Sequence, residues 1–231
     1  MTDIHAHILP FVDDGSDSFE HSIEMLSDSS RMGVKRIICT PHYRRGFFAE
    51  DEQRIEEVFD ELKALAKKQN IDVELYLGRE FTVYDGLIED LKEGKFDTAK
   101  RNKFVLLEFP YDTETDVEEI CYNVKLLGFV PVIAHVERYS YFRNEENVSR
   151  VRNGGAVIQV NASAVVGKSF GAENKFVKKL LKKKLVDVVA SDYHFMREDH
   201  IGLAYKKVKS KYGEEYADLI FEKNPNYITS R

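Results

Sequence analysis

The segment Val130-Pro131-Val132-Ile133-Ala134-His135, continued by Val136-Glu137-Arg138-Tyr139, is a short apolar run that ends on an imidazole and passes straight into two charges. A run of that length and branching reads as a strand buried on both faces. Just upstream, Val117, Ile120, Cys121, Val124 and Leu127 recur at spacings of three and four, the mark of an amphipathic helix. The same alternation fills the chain. Strands are read over Asp3 to His7, Arg36 to Thr40, Val73 to Glu80, Phe104 to Phe109, Val130 to His135, Ala156 to Asn161 and Val186 to Ser191. Ile55, Val58, Phe59, Leu62 and Leu65 supply another crossover helix, and Ile201 to Lys211 and Glu214 to Phe221 read as closing helices stopped by Asn224-Pro225. No linker, internal repeat or low-complexity segment interrupts the pattern. Seven consecutive βα units with right-handed connections curl into a closed or nearly closed barrel. The expectation is therefore an α/β, seven-stranded barrel forming a single domain over residues 1–231, with a doubly wound open sheet as the alternative.

Composition narrows the function. Hydrophobic residues at 43%, charged residues at 32% and only 5 prolines suit a compact enzyme and exclude a disordered or fibrous chain. A formal charge of -6 argues against nucleic acid as partner, because phosphate backbones are gripped by basic faces. The one strongly basic stretch, Lys178-Lys179-Leu180-Leu181-Lys182-Lys183-Lys184, has the spacing of a solvated helix face. Cys39 and Cys121 both lie inside apolar segments, so a reducing cytosol is expected and a disulfide framework is not. With no signal stretch and no apolar run of about 18 residues, the protein is expected to be soluble and cytoplasmic, without membrane insertion.

The ionisable residues collect at strand ends. His5-Ala6-His7 closes the first strand, Thr40-Pro41-His42 follows the second, and Gly78-Arg79-Glu80 ends the third. Glu108 is the only charge in the fourth, His135 ends the fifth, and Ser191-Asp192-Tyr193-His194 follows the seventh. In a βα barrel all carboxyl ends of the strands converge on one face, so these residues meet although they are far apart in sequence. Five of the seven histidines take part; His21 and His200 fall on helices or helix starts and read as surface residues. A mixture of imidazole and carboxylate without thiolate suits manganese, iron or zinc. Adding Asp14 from Asp13-Asp14-Gly15 gives nine candidate ligands, too many for one ion, and two or three divalent metals are expected. Paired divalent ions activate water and clamp the oxygens of a displacement at phosphorus, which makes phosphate-ester hydrolysis the natural reaction. Arg138, three residues past His135, is placed to grip a phosphate, with a salt bridge to Glu137 or another rim carboxylate as its structural alternative. Arg197, Arg44 and Arg45 are weaker candidates for substrate binding.

This set resembles the polymerase and histidinol phosphatase (PHP) superfamily over nearly the whole chain. The segments Asp3-Ile4-His5-Ala6-His7-Ile8, Val12-Asp13-Asp14-Gly15, Thr40-Pro41-His42, Gly78-Arg79-Glu80, Leu107-Glu108-Phe109, Pro131 to Tyr139 and Ala190-Ser191-Asp192-Tyr193-His194 are most similar to the bacterial protein-tyrosine phosphatases of that superfamily. The resemblance implies a distorted TIM-like barrel with a trinuclear metal site, manganese first among the ions. It implies that His5, His7, Asp14, His42, Glu80, Glu108, His135, Asp192 and His194 are metal ligands, and that Arg138 stabilises the transferring phosphate. Asp13 could replace Asp14. The implied reaction is attack of metal-bound hydroxide on phosphotyrosine, with Arg138, His42 and Asp192 as the catalytic set and the proton donor left open. The implied partner is the tail of a bacterial tyrosine kinase controlling capsule or exopolysaccharide synthesis.

Rival readings remain. Cys39 and Arg45 stand as Cys-x5-Arg, the spacing of thiol-dependent tyrosine phosphatases, but Thr40-Pro41-His42-Tyr43-Arg44 has no glycine and Pro41 offers no N–H to a phosphate. Within the superfamily, histidinol-phosphate phosphatase, another small phosphoester hydrolase or a nuclease shares the same metals. A non-catalytic metal-binding regulatory module is the alternative outside enzymes.

Overall fold

The protein is described by a computed structural model over residues 1–96, 103–111 and 113–229. Its strands are β1 (Thr2–Ala6), β2 (Arg36–Cys39), β3 (His42–Tyr43), β4 (Glu74–Leu77), β5 (Glu80–Thr82), β6 (Phe104–Glu108), β7 (Val130–Ile133), β8 (Val157–Asn161) and β9 (Val188–Ala190). All of their pairings are parallel, in one sheet of order β1-β2-β4 and a second of order β3-β5-β6-β7-β8-β9. Past β9, the chain meets the end of β1 again: Ala6 bridges Tyr193, and the His7 N–H donates to the Tyr193 carbonyl at 2.9 Å.

Seven strands were expected, and nine are present among the described residues. The second expected strand, Arg36 to Thr40, is followed past Pro41 by a further short strand that was not expected, and the third, Val73 to Glu80, is broken within its span. Pro41 cannot donate to a ladder, so the second path stops at Cys39 and restarts at His42. The third breaks at Gly78-Arg79, where a Cβ on Gly78 would lie 2.7 Å from the Ile38 side chain. The two breaks lie side by side, with the Glu80 N–H donating to the Pro41 carbonyl.

Helices α1 (Phe19–Arg31), α2 (Glu52–Lys68), α3 (Leu87–Glu93), α4 (Val117–Leu126), α5 (Glu145–Asn153), α6 (Ala162–Val166), α7 (Gly171–Lys182) and α8 (Ile201–Tyr212) fall between or after the strands. Side chains of Ser18, Asp51, Asp116 and Asn144 cap α1, α2, α4 and α5 by accepting otherwise unpaired N–H groups of the first turn. The apolar stripes read from the sequence are buried, Ile55, Val58, Phe59 and Leu62 in α2 and Val117, Cys121 and Val124 in α4. In α7, Phe176, Val177, Leu180 and Leu181 face the core while Lys178, Lys179 and Lys182 are exposed, as a solvated helix face requires.

The expected stop at Asn224-Pro225 does not occur. After Glu214–Asp218 the helix widens into a π turn over Leu219–Lys223 and continues as Asn224–Thr229. Pro225 has no N–H to give the preceding turn, and the helix continues past it with the π turn directly before it.

Side chains of both sheets share one apolar cluster. Ile4, Ile38, Phe104, Leu106, Val132, Ala134, Val188 and Ala190 pack together, joined by Ile228 of the last helix. The larger core lies between strands and helices. No helix among the described residues is long and apolar enough to cross a membrane.

Candidate metal centre

Alternation along β6 puts Phe104, Leu106 and Glu108 on one side of the strand, the first two in the apolar cluster and the third beyond it. In β1 the register against β2 slips between Asp3 and Ala6, a bulge that re-aims the strand's end. His5 and His7 both reach Glu80 as a result. The Glu80 Oε2 atom lies 3.3 Å from His5 Nε2, 3.2 Å from His7 Nε2 and 2.9 Å from His42 Nδ1, and its Oε1 lies 3.0 Å from His135 Nε2. His5 Nε2 and His7 Nε2 are 3.1 Å apart. Two ligand atoms about 2.1 Å from one ion and about 90–110° apart are themselves about 3.0–3.4 Å apart, the spacing seen here. Glu80 Oε2 and His42 Nδ1 are buried, and despite facing each other neither makes a hydrogen bond among the described residues. Buried polar atoms seldom go unpaired, and a cation between them would satisfy both.

The remaining candidates close around this core. Asp192 Oδ1 is 3.5 Å from His5, 3.6 Å from His7 and 3.7 Å from His194. Glu108 is 3.7 Å from His135 and 3.9 Å from His42, and it also accepts from the Thr82 hydroxyl at 2.8 Å. Three overlapping triads have donor atoms close enough for one ion each: His5, His7 and Glu80; His7, His42 and His194; and His42, Glu80 and Glu108. The Asp-Asp-Gly turn divides its carboxylates. The Asp13 carboxylate is buried and fully engaged, accepting from His7 Nδ1 at 2.8 Å and from the N–H groups of His42 and Gly15 at 2.9 Å. Asp14 is half-exposed, with Oδ1 3.5 Å from His42 and 3.6 Å from His194. Asp14 thus faces the cavity-side imidazoles while Asp13 holds His7.

Burial alone would push the Glu80 carboxyl up, but the imidazoles of His5, His42 and His135 hold it well below the usual range. Burial of Asp192 is likewise outweighed, by Arg138 first and then by His5, His135 and His194. Arg138 Nη2 lies 2.7 Å from Asp192 Oδ2, so the arginine's ion pair is with a candidate ligand and not with its neighbour Glu137. Glu137 is buried and its carboxyl is pushed up to about 7 by desolvation. His135 and Asp192 both take positive φ, 31° and 53°, conformations that L residues rarely adopt and that cluster at functional sites.

A cavity of about 580 Å³ opens onto these groups, and its walls include Arg44, Phe48, Tyr111, Arg138, Phe170 and Arg197. Arg197 Nη1 lies 3.3 Å from His194 Nδ1. Arg45 does not line it. The turn closed by Arg44 and Phe48 sends Arg44 to the cavity, while the Arg45 guanidinium lies 5.8 Å from the Tyr84 ring. Cys39 is fully buried in β2, its thiol pushed up to about 12 by desolvation, so neither half of the Cys-x5-Arg spacing reaches the cavity. His21 stacks on Phe195 at 3.7 Å, and His200 is a half-buried residue at the start of α8. Sequence reasoning passed over Tyr111 and Phe170, which lie in loops without periodicity, and over Gln159 and Asn161, which carry no charge. For the last two a signal existed: amides at alternate positions of an apolar strand.

Comparison with known proteins agrees with this geometry. The family model described as capsular polysaccharide synthesis, CpsB/CapC, matches residues 1–230. The tyrosine-protein phosphatase CpsB of Streptococcus pneumoniae is 36% identical over 237 residues, covering 99% of this chain and 98% of that protein. The tyrosine-protein phosphatase YwqE of Bacillus subtilis is 32% identical over 227 residues, covering 96% and 89%. A solved chain, from crystal structures of YwqE and CpsB described as unique metal-dependent tyrosine phosphatases, superposes with a TM-score of 0.92 at 29% identity, over 100% of this chain and 94% of that one. This chain belongs to the CpsB/CapC family of capsular polysaccharide synthesis.

Proposed function

We propose that the chain is a metal-dependent protein-tyrosine phosphatase, built as one distorted barrel domain over residues 1–231 and holding two to three divalent ions, manganese first and iron or zinc next. The observation that carries this is the position of Glu80 Oε2, buried, without a hydrogen bond among the described residues, and within 3.3 Å of imidazole nitrogens from His5, His7 and His42. The ion-holding set is His5, His7, Asp14, His42, Glu80, Glu108, His135, Asp192 and His194. Bound there, divalent ions supply an activated water and neutralise phosphate oxygens.

The chain's own residues do the rest. Arg138, held by Asp192, presents a fixed guanidinium to the phosphate, and Arg44 and Arg197 add positive charge at the cavity wall. Phe48, Tyr111 and Phe170 offer apolar surface to an aromatic ring. A phenol of pKa about 10 leaves with little help from a general acid. Asp192, kept ionised by Arg138, has no proton to give and serves to position that arginine. The natural substrate is a phosphotyrosine segment of a bacterial tyrosine kinase in the same capsule system, and the place of action is the cytoplasm.

The test is turnover of a phosphotyrosine peptide before chelation, after it and after manganese is returned, with histidinol phosphate and single-stranded DNA assayed in parallel. Loss and recovery on the peptide, together with full activity of Cys39→Ser, is the expected result. Activity that survives chelation but disappears in Cys39→Ser would overturn the proposal.

A further inference from the structure

Strand β8 contributes no ionisable side chain, yet its two inward polar residues, Gln159 and Asn161, are 0% and 2% exposed and touch the centre from behind. Their hydrogen bonds orient one another. The His135 backbone N–H lies 2.7 Å from the Gln159 amide, and since a backbone N–H only donates, the atom facing it is Oε1. The NH2 group then faces Asn161, donating to its Oδ1 at 2.8 Å, which turns the Asn161 NH2 onto Asp192 Oδ2, also at 2.8 Å. The Asn161 backbone N–H is held in turn by Glu137 Oε1 at 2.9 Å.

Gln159 Oε1 is also 3.2 Å from His5 Nδ1. An oxygen at that position accepts, so Nδ1 carries the hydrogen and the lone pair of His5 is on Nε2, the atom directed at His7, Glu80 and Asp192. We infer that Gln159 and Asn161 are positioning residues, an amide relay along one strand that fixes the tautomer of His5 and the orientation of Asp192 for metal binding. This rests on the reading of the centre as a metal site. It assigns a role to a strand that supplies no ligand.

The experiment compares Gln159→Met, which keeps the length and removes the acceptor, with Gln159→Glu, which keeps an acceptor for both N–H groups. Manganese affinity is measured by competition with a chelator, the cobalt-loaded proteins are compared by their d–d absorption spectra, and metal-free unfolding is followed as a control. The relay predicts that Gln159→Met lowers manganese affinity by about 10–100-fold and alters the cobalt spectrum, while its metal-free unfolding stays cooperative. It predicts that Gln159→Glu, which keeps the acceptor facing His5 and His135 but loses the donor to Asn161, binds less tightly than the parent protein and more tightly than Gln159→Met. A space-filling role predicts the reverse order, because methionine fills the same volume and glutamate buries a charge; that order overturns the relay. If Gln159→Met does not fold, Asn161→Leu takes its place, and unchanged manganese affinity in that variant overturns the relay equally. A parent protein that binds no divalent ion would remove the metal reading itself, a result distinct from variants that bind as well as the parent.

Discussion

Asp13 and Asp14 divide the work of one turn according to what surrounds each. Asp13 spends both oxygens on His7, His42 and Gly15, whereas Asp14 faces two imidazoles from the cavity side. The sequence could not choose between them, because the choice depends on which oxygens the fold leaves free. The same holds for Arg44 and Arg45, where a tight turn decides which guanidinium faces the cavity. Under the proposed reaction, Arg138 is the residue on which the chemistry turns most directly. If it stabilises charge developing on the phosphate, Arg138→Ala lowers kcat/KM on a phosphotyrosine peptide by about 10²–10³-fold. Its metal content, measured on the same preparation, is expected to match the parent protein. Equal activity in the two proteins would show that the guanidinium only pairs with Asp192. The strand-end histidines and acids were legible because charge is conspicuous inside apolar runs. Gln159 and Asn161 were not, because an uncharged amide in a strand is ordinary until its partners are known.

At the scale of the element, the broken strand paths and the bulge in β1 give the centre its shape. None of these breaks showed in the apolar pattern, which marks where strands run but not where a ladder is interrupted by a backbone approach. Gly15 is such an approach: a Cβ there would lie 2.2 Å from the His7 carbonyl oxygen, and the Gly15 carbonyl accepts from the Phe195 N–H at 2.8 Å. Gly15→Ala therefore has to move the Asp13-Asp14 turn away from β1. Its expected cost is about 1–3 kcal/mol in urea unfolding, with weaker metal binding, and a variant as stable as the parent would mean the turn can relax freely. Asp199 ties two helices together, accepting from the Ser29 hydroxyl of α1 at 2.9 Å and from the Ile201 N–H of α8 at 2.8 Å. Burial raises its carboxyl above the ordinary value of 3.8, against those hydrogen bonds. Its contribution is then complete below about pH 4 and lost as pH rises through the folded-state value, since the unfolded chain ionises first. Asp199→Asn should gain stability relative to the parent as pH rises from about 4 through the folded-state value, and a pH-independent difference between the two unfolding curves would refute this.

For the whole molecule, the fold gathers the imidazoles of His5, His7, His42, His135 and His194 with the carboxylates of Asp13, Asp14, Glu80, Glu108 and Asp192 from strand ends spread along the chain. Taking carboxylates out of water costs several kcal/mol per ion, and here the compensation comes from imidazoles and Arg138. Divalent ions add compensation that only the folded chain can receive, because an unfolded chain cannot bring residues as far apart as His5 and His194 to one ion. Stabilisation by a ligand that binds the native state alone is about 2.7 kcal/mol at one hundred times its dissociation constant. A chain of this length gains about 2–4 °C per kcal/mol, so manganese at that excess should raise the unfolding midpoint by about 5–10 °C. Glu80→Gln removes the carboxylate shared by four imidazoles and should abolish most of that rise while leaving a folded metal-free protein. If manganese raised the midpoint of Glu80→Gln as much as that of the parent, the ions would be binding elsewhere and Glu80 would not be at the heart of the centre.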